Sequence, residues 1–197
     1  MGWGPKKILQ KWFYIWVIVA FGFGLRILLV LTVDRFGDAD EAVFGLMALH
    51  ISRLKEFPVY CWEAQYAGAL ISYVAALIYK ILGVSPFSLK LATFPFVAGI
   101  FYTTYALGYR LGGKAVGYLS LLWVALGPSL LNLYSVKVLG GYPETLFFGN
   151  LLLLLCLSLI KHERAEDAGT RFLWLMGFIS GLAMWTLFMI IPYLVTL

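Results

Sequence analysis

Charge is what this sequence has least of. Lys, Arg, Asp and Glu together make up 13% of its 197 residues, against 62% hydrophobic residues and a mean hydropathy of +0.88. A soluble domain carries about 25% charged residues, so no water-facing surface can be built from this chain. The formal net charge of +5 is not gathered on one face as in a nucleic-acid binder; the basic residues punctuate apolar stretches. Cysteine is equally sparse. Cys61 and Cys156 supply neither a disulfide framework nor a metal-binding spacing, and Cys156, inside Leu151-Leu-Leu-Leu-Leu-Cys-Leu-Ser, reads as a small apolar residue.

What is present is long apolar runs, the signature of bilayer-spanning helices. Four segments qualify as spans: Trp12 to Val33, Phe87 to Tyr109, Ala115 to Tyr134 and Pro143 to Ile160. A fifth starts at Phe172 and is still apolar at Leu197, which leads us to expect the N-terminal part of a longer protein. The first run resembles a signal peptide behind Lys6, Lys7 and Lys11. At about 22 residues it is too long for a signal-peptide core, and no small-x-small cleavage site follows.

The segment from Ala67 to Gly83 is apolar but short, and Lys80 interrupts it. If it stays out of the membrane, the inner side receives Lys6, Lys7, Lys11, Arg110, Lys114, Lys161, Arg164 and Arg171. The outer side then receives Arg35, Arg53, Lys55, Lys80, Lys90 and Lys137. That balance obeys the positive-inside rule and the inverted one does not. The expectation is an all-α polytopic membrane bundle in one domain over residues 1–197, with about five transmembrane helices. Its N-terminus is cytoplasmic, and its long first external loop, 34–86, carries two interfacial helices. The first begins after Asp38 with Val43, Met47, Ile51 and Leu54 on one stripe and ends at Pro58; the second is Ala67 to Leu82.

Acidic residues are few, so their placement is informative. Six of the ten fall in that loop: Asp34, Asp38, Asp40, Glu41, Glu56 and Glu63. Carboxylates at a membrane surface can serve as general bases, hold a divalent cation or bind sugar hydroxyls. The run Asp38-Ala-Asp-Glu41 also reads as a helix N-terminus, with Asp38 as N-cap and Glu41 closing a capping box. The two readings are compatible if Asp40 points into a cleft. Glu144 follows Pro143 at the outer end of the fourth span, where a carboxylate is favourable in any helix. Arg26 lies inside the first span, either as a partner for a phosphate or carboxylate or snorkelling to the surface. His50 reads as structural. Trp12, Tyr14, Trp16, Tyr60, Trp62 and Tyr66 fit interface belts, and Trp62 and Tyr66 fit stacking on a sugar equally well.

In order along the chain, these features resemble the polyprenol-dependent membrane glycosyltransferases of the GT-C fold. The family includes the protein O-mannosyltransferases of glycosyltransferase family 39, the aminoarabinose transferases and the oligosaccharyltransferases. Asp40-Glu-Ala-Val-Phe-Gly45 is similar to the signature that opens the first external loop of the O-mannosyltransferases. Gln65-Tyr-Ala-Gly-Ala69, Gly83-Val-Ser-Pro-Phe87, Leu107-Gly-Tyr-Arg-Leu-Gly-Gly113, Ala125-Leu-Gly-Pro128 and Gly141-Tyr-Pro-Glu144 follow in family order.

The resemblance implies that Asp40 is a base, with Glu41 and Glu144 as supporting acids. A sugar would pass with inversion from a polyprenyl-phosphate carrier to an acceptor hydroxyl on a protein, lipid or glycan, at the outer face of a prokaryotic cytoplasmic membrane. Asp38, Arg26, Trp62, Gln65, Tyr66 and Tyr142 are the candidate substrate-binding residues. The metal-dependent oligosaccharyltransferases carry an acid where this chain has Leu146, which argues against a divalent cation. The rival readings are a transporter or flippase, with Asp40, Glu144 and Arg26 along a substrate path, and a non-catalytic protein of the same fold.

Overall fold

A computed structural model describes residues 5–32, 37–161 and 166–197. Asp34, Arg35 and Arg164 lie outside the described residues, as do the side chains of Lys6, Lys7, Lys11 and Lys161. Among the described residues the fold is helical: α1 (Pro5–Thr32), α2 (Ala39–Ser52), α3 (Leu70–Leu82), α4 (Pro86–Lys90), α5 (Phe94–Leu126), α6 (Ser129–Val136), α7 (Tyr142–Lys161), α8 (Glu166–Thr186) and α9 (Ile191–Val195). Two short 3-10 turns, Leu91–Thr93 and Phe188–Ile190, join α4 to α5 and precede α9.

Three helical stretches are long and apolar enough to cross a membrane: Phe13–Thr32, Pro86–Leu126 and Tyr142–Ile160. Away from the Arg110–Lys114 turn their exposed side chains are mostly apolar, among them Phe21, Leu28 and Leu31 on α1 and Tyr102 and Trp123 on α5, as a lipid-facing surface requires. With 13 residues, α3 is about 20 Å long, well short of a hydrocarbon core of about 30 Å. It packs instead on α2. Its buried face of Ile71, Ser72, Ala75, Ala76 and Tyr79 is mostly small, and Ser72 Oγ donates to the Phe44 carbonyl at 3.1 Å.

The 33 residues of α5 do not form one rod. Gly113, at φ 78° and ψ −165°, reverses the chain, a conformation a side chain would oppose. A Cβ added to Gly108 would lie 2.5 Å from Ser120 Oγ, and one added to Gly117 would lie 3.2 Å from the Tyr105 ring. In a straight helix residues 108 and 120 would be about 18 Å apart. The two arms therefore form an antiparallel hairpin, with the Arg110–Lys114 turn expected from the sequence at its tip.

Two expected spans are broken. The stretch Ala115 to Tyr134 stops at Leu126 and resumes at Ser129 as α6, because Pro128 has no N–H and disfavours a helical residue before it. The stretch from Phe172 is helical only to Thr186; Leu187 is extended at φ −164° and ψ 133°, and the chain re-forms as α9 behind Pro192. Here Gly68 N–H donates to the Thr186 carbonyl at 3.0 Å, and Ala67 bridges Leu187. Leu54 also departs from its expected place. It lies beyond the end of α2 at φ 56° and is exposed, while the buried stripe is Phe44, Met47, Ala48 and Ile51.

Candidate active site

The N-terminus of α2 sends its three described carboxylates in three directions. Asp38 caps the helix: its side chain accepts the Glu41 N–H at 3.1 Å, and Oδ2 accepts from Lys137 Nζ at 2.5 Å. The bond from Lys137 and the capping N–H hold its carboxyl below the usual range. Glu41, one turn on, points inward. Both of its oxygens accept from Lys90 Nζ at 2.8 Å, and Oε1 also accepts the Val138 N–H at 2.8 Å. The pair is 1–2% exposed. Asp40 faces outward, exposed, with no hydrogen bond or ion pair among the described residues.

Asp40 lines a cavity of about 220 Å³ with Val43, Phe44, Cys61, Glu63, Ala64, Tyr66, Ala67 and Leu139. Glu63, Tyr66 and Cys61 come from a tight loop. Its neck is closed by Cys61 N–H to the Ala67 carbonyl at 2.8 Å and Ala69 N–H to the Val59 carbonyl at 3.2 Å. The end of α8 supports it from below, through Trp185 Nε1 to the Val59 carbonyl at 2.9 Å. Leu139 arrives from the 137–141 loop, which lies on α2 so closely that a Cβ on Gly140 would sit 2.3 Å from the Phe44 ring.

A larger groove of about 400 Å³ opens on the opposite side of α2, among Leu46, Leu49, Tyr79, Val84, Leu89 and Lys90. Asp38 and Glu41 reach it, yet both already hold cations. Tyr79, which burial pushes up to about 12, supplies only a protonated hydroxyl there. The smaller cavity is therefore the one with an uncommitted carboxylate.

The remaining candidates divide sharply. Tyr66 lines the Asp40 cavity and is exposed. Trp62 and Gln65 are exposed on the same loop but outside the cavity lining, and Trp62 meets His50 edge-on at 5.3 Å. Tyr142 stacks on Tyr134 at 4.4 Å and 10°, also off the cavity. Glu144 is 1% exposed, and neither of its oxygens has a hydrogen-bond partner among the described residues.

Arg26 neither snorkels nor reaches the loops. It is buried and donates to the Gly22, Ala125 and Val124 carbonyls at 3.0, 2.8 and 3.0 Å and to Ser135 Oγ at 3.1 Å. Its guanidinium is committed to the broken helix rather than to a ligand.

Lys90 and Leu139 are the residues that sequence reasoning missed. Lys90 reads as one more basic residue of the outer side, near the start of the expected span Phe87 to Tyr109; its burial comes from the turn of α4, where Ser85 caps the Ser88 N–H and Pro86 opens the helix. Among the described residues no three His, Cys, Asp or Glu side chains gather as a metal site. The chain matches no family model, no curated protein and no solved structure.

Proposed function

We propose that this protein transfers a glycosyl group from a polyprenyl-phosphate-linked sugar to an acceptor hydroxyl at the outer face of the membrane, with Asp40 as general base. The observation that carries the reading is the contrast within one helix turn: Asp38 and Glu41 are spent on cations, and Asp40 stands unpaired among the described residues at the rim of a cavity. A carboxylate that stabilises nothing in the fold is available to take a proton.

In the reaction Asp40 accepts the proton of the acceptor hydroxyl while its oxygen attacks the anomeric carbon. The carbon–oxygen bond to the carrier phosphate breaks, its electron pair leaves with the polyprenyl phosphate, and attack from the opposite face inverts the centre. Tyr66 supplies an aromatic face for a sugar ring, and Glu63 supplies acceptors for its hydroxyls.

The test is Asp40→Asn in proteoliposomes supplied with a panel of polyprenyl-phosphate sugars. Transfer should fall by about 100-fold or more, the usual contribution of a positioned base. Transfer at the unaltered rate by the Asn variant would end this reading.

A further inference from the structure

The Asp40 cavity owes one wall to Leu139, and Leu139 is held by a feature outside the cavity. We propose that the buried Glu41–Lys90 pair is a positioning device for that cavity: it anchors the Val138–Leu139 segment against α2 and so sets access to Asp40. The proposal rests on the reading of the Asp40 cavity as the functional site, and extends it to Lys90, which is not among the residues lining that cavity.

Three observations converge. The Val138 N–H lies beyond the end of α6, in a residue 1% exposed, and its acceptor is Glu41 Oε1 at 2.8 Å. Glu41 is itself oriented by Lys90, with both oxygens 2.8 Å from Nζ. One turn beyond Lys90, Thr93 Oγ1 donates to the Ser135 carbonyl at 2.8 Å, so Glu41 and Thr93 hold the chain on either side of Lys137. Beyond Leu139 the chain turns through Gly140 and Gly141 at φ 67° and 100° and packs there on Phe44 and Leu187. The hydrogen bonds that hold the cavity wall on its N-terminal side thus come from Glu41 and Thr93.

A buried ion pair is a poor source of stability, since an apolar pair of like volume often does as well. An apolar pair cannot, however, accept the Val138 N–H. That separates positioning from simple structural support. With Cys156→Ser as background, Cys61, 4% exposed and lining the same cavity, becomes the reporter. Two charge-free double variants are compared with the parent by reaction with a small water-soluble maleimide. Glu41→Gln/Lys90→Met keeps an acceptor for Val138; Glu41→Leu/Lys90→Met removes it.

The Leu/Met variant should label at least about tenfold faster, as a locally opened segment does, while the Gln/Met variant labels at the parental rate. Equal rates in the two variants would overturn the proposal. Hydrogen exchange in the unaltered protein needs no variant to fold: the Val138 amide should be protected as strongly as the amides of α2. Exchange as fast as at Gly140 would also overturn it.

Asp40→Asn should leave both readouts unchanged. If that variant retains transfer while Leu/Met still exposes Cys61, the catalytic reading fails and the positioning role stands. If Asp40→Asn is inactive and Cys61 labels equally in both double variants, the reverse holds.

Discussion

At the residue scale the carboxylates at the outer end of the fold are distinguished by their partners, not their spacing. Asp38 does what its position in the sequence suggested, capping α2, and Asp38→Ala should cost about 1 kcal/mol of stability as N-cap losses do. Because its folded carboxyl is held below the ordinary value of 3.8, it binds a proton less readily folded than unfolded. Its contribution is therefore complete above that value and is lost as pH falls below it through the folded pKa. Melting should separate the parent from Asp38→Asn more widely at pH 6 than at pH 3, and added salt should narrow the gap because the Lys137 bridge is partly exposed.

Glu144 makes the opposite case. A carboxyl 1% exposed with neither oxygen hydrogen-bonded among the described residues costs the fold stability. Glu144→Leu should raise the melting temperature, by an amount equivalent to about 1–3 kcal/mol. A lowered melting temperature would show that the carboxyl is held by a partner. The sequence announces both residues as acids at helix starts. What it cannot announce is which acid meets a cation, because Lys90 and Lys137 come from segments far along the chain.

At the element scale the break between α5 and α6 shows how a polar residue is made tolerable inside an apolar helix. Pro128 and the turn at Gly127 free the carbonyls of residues 124 to 127. Arg26 takes those of Val124 and Ala125, and Asn132 Nδ2 takes those of Leu126 and Gly127 at 2.7 and 3.1 Å. Buried acceptors left unpaired cost about 1–3 kcal/mol each, so Arg26→Leu should be among the most destabilising single changes in the chain. Pro128→Ala restores an N–H within reach of the Val124 carbonyl and should recover part of that loss. A double-mutant cycle read by thermal melting in detergent should show clear coupling, and strict additivity would sever the link between Arg26 and the break.

Elements with local signals were legible. The capping run opens α2, Pro86 opens α4, Gly112-Gly113 turns the hairpin, and α3 is as short as its apolar run suggests. The break at Leu187 was not legible, because it is imposed by backbone bonds from Gly68, in a loop more than a hundred residues earlier. The Gly127-Pro128 signal was visible, but a hydropathy window passes over a break whose flanks are both apolar.

At the scale of the whole molecule, the contacts between loops gather the candidate site at one end of the bundle. Lys137 to Asp38, Val138 to Glu41 and Gly68 to Thr186 tie the start of α2, the α6–α7 loop and the end of α8 together. The tip of the α5 hairpin lies at the other end of its arms, where Arg110 donates to the Leu154 carbonyl and to Ser158 Oγ, near the inner end of α7. The Asp40 cavity and the Arg110–Lys114 turn therefore belong to opposite faces. The proposed function puts the cavity outside and that turn inside, as the positive-inside rule expects of its basic residues. Glu144 is too buried to report on this, whereas Glu63 and Lys114 are exposed. In a background lacking Cys61 and Cys156, a membrane-impermeant maleimide added to intact cells should label Glu63→Cys at once and Lys114→Cys only after the membrane is opened. Labelling of both from outside would mean that the α5 arms do not cross the bilayer. The reversed pattern would turn the whole bundle over, placing Asp40 on the cytoplasmic side. There the proposed transfer would have to draw its lipid-linked sugar from the inner leaflet.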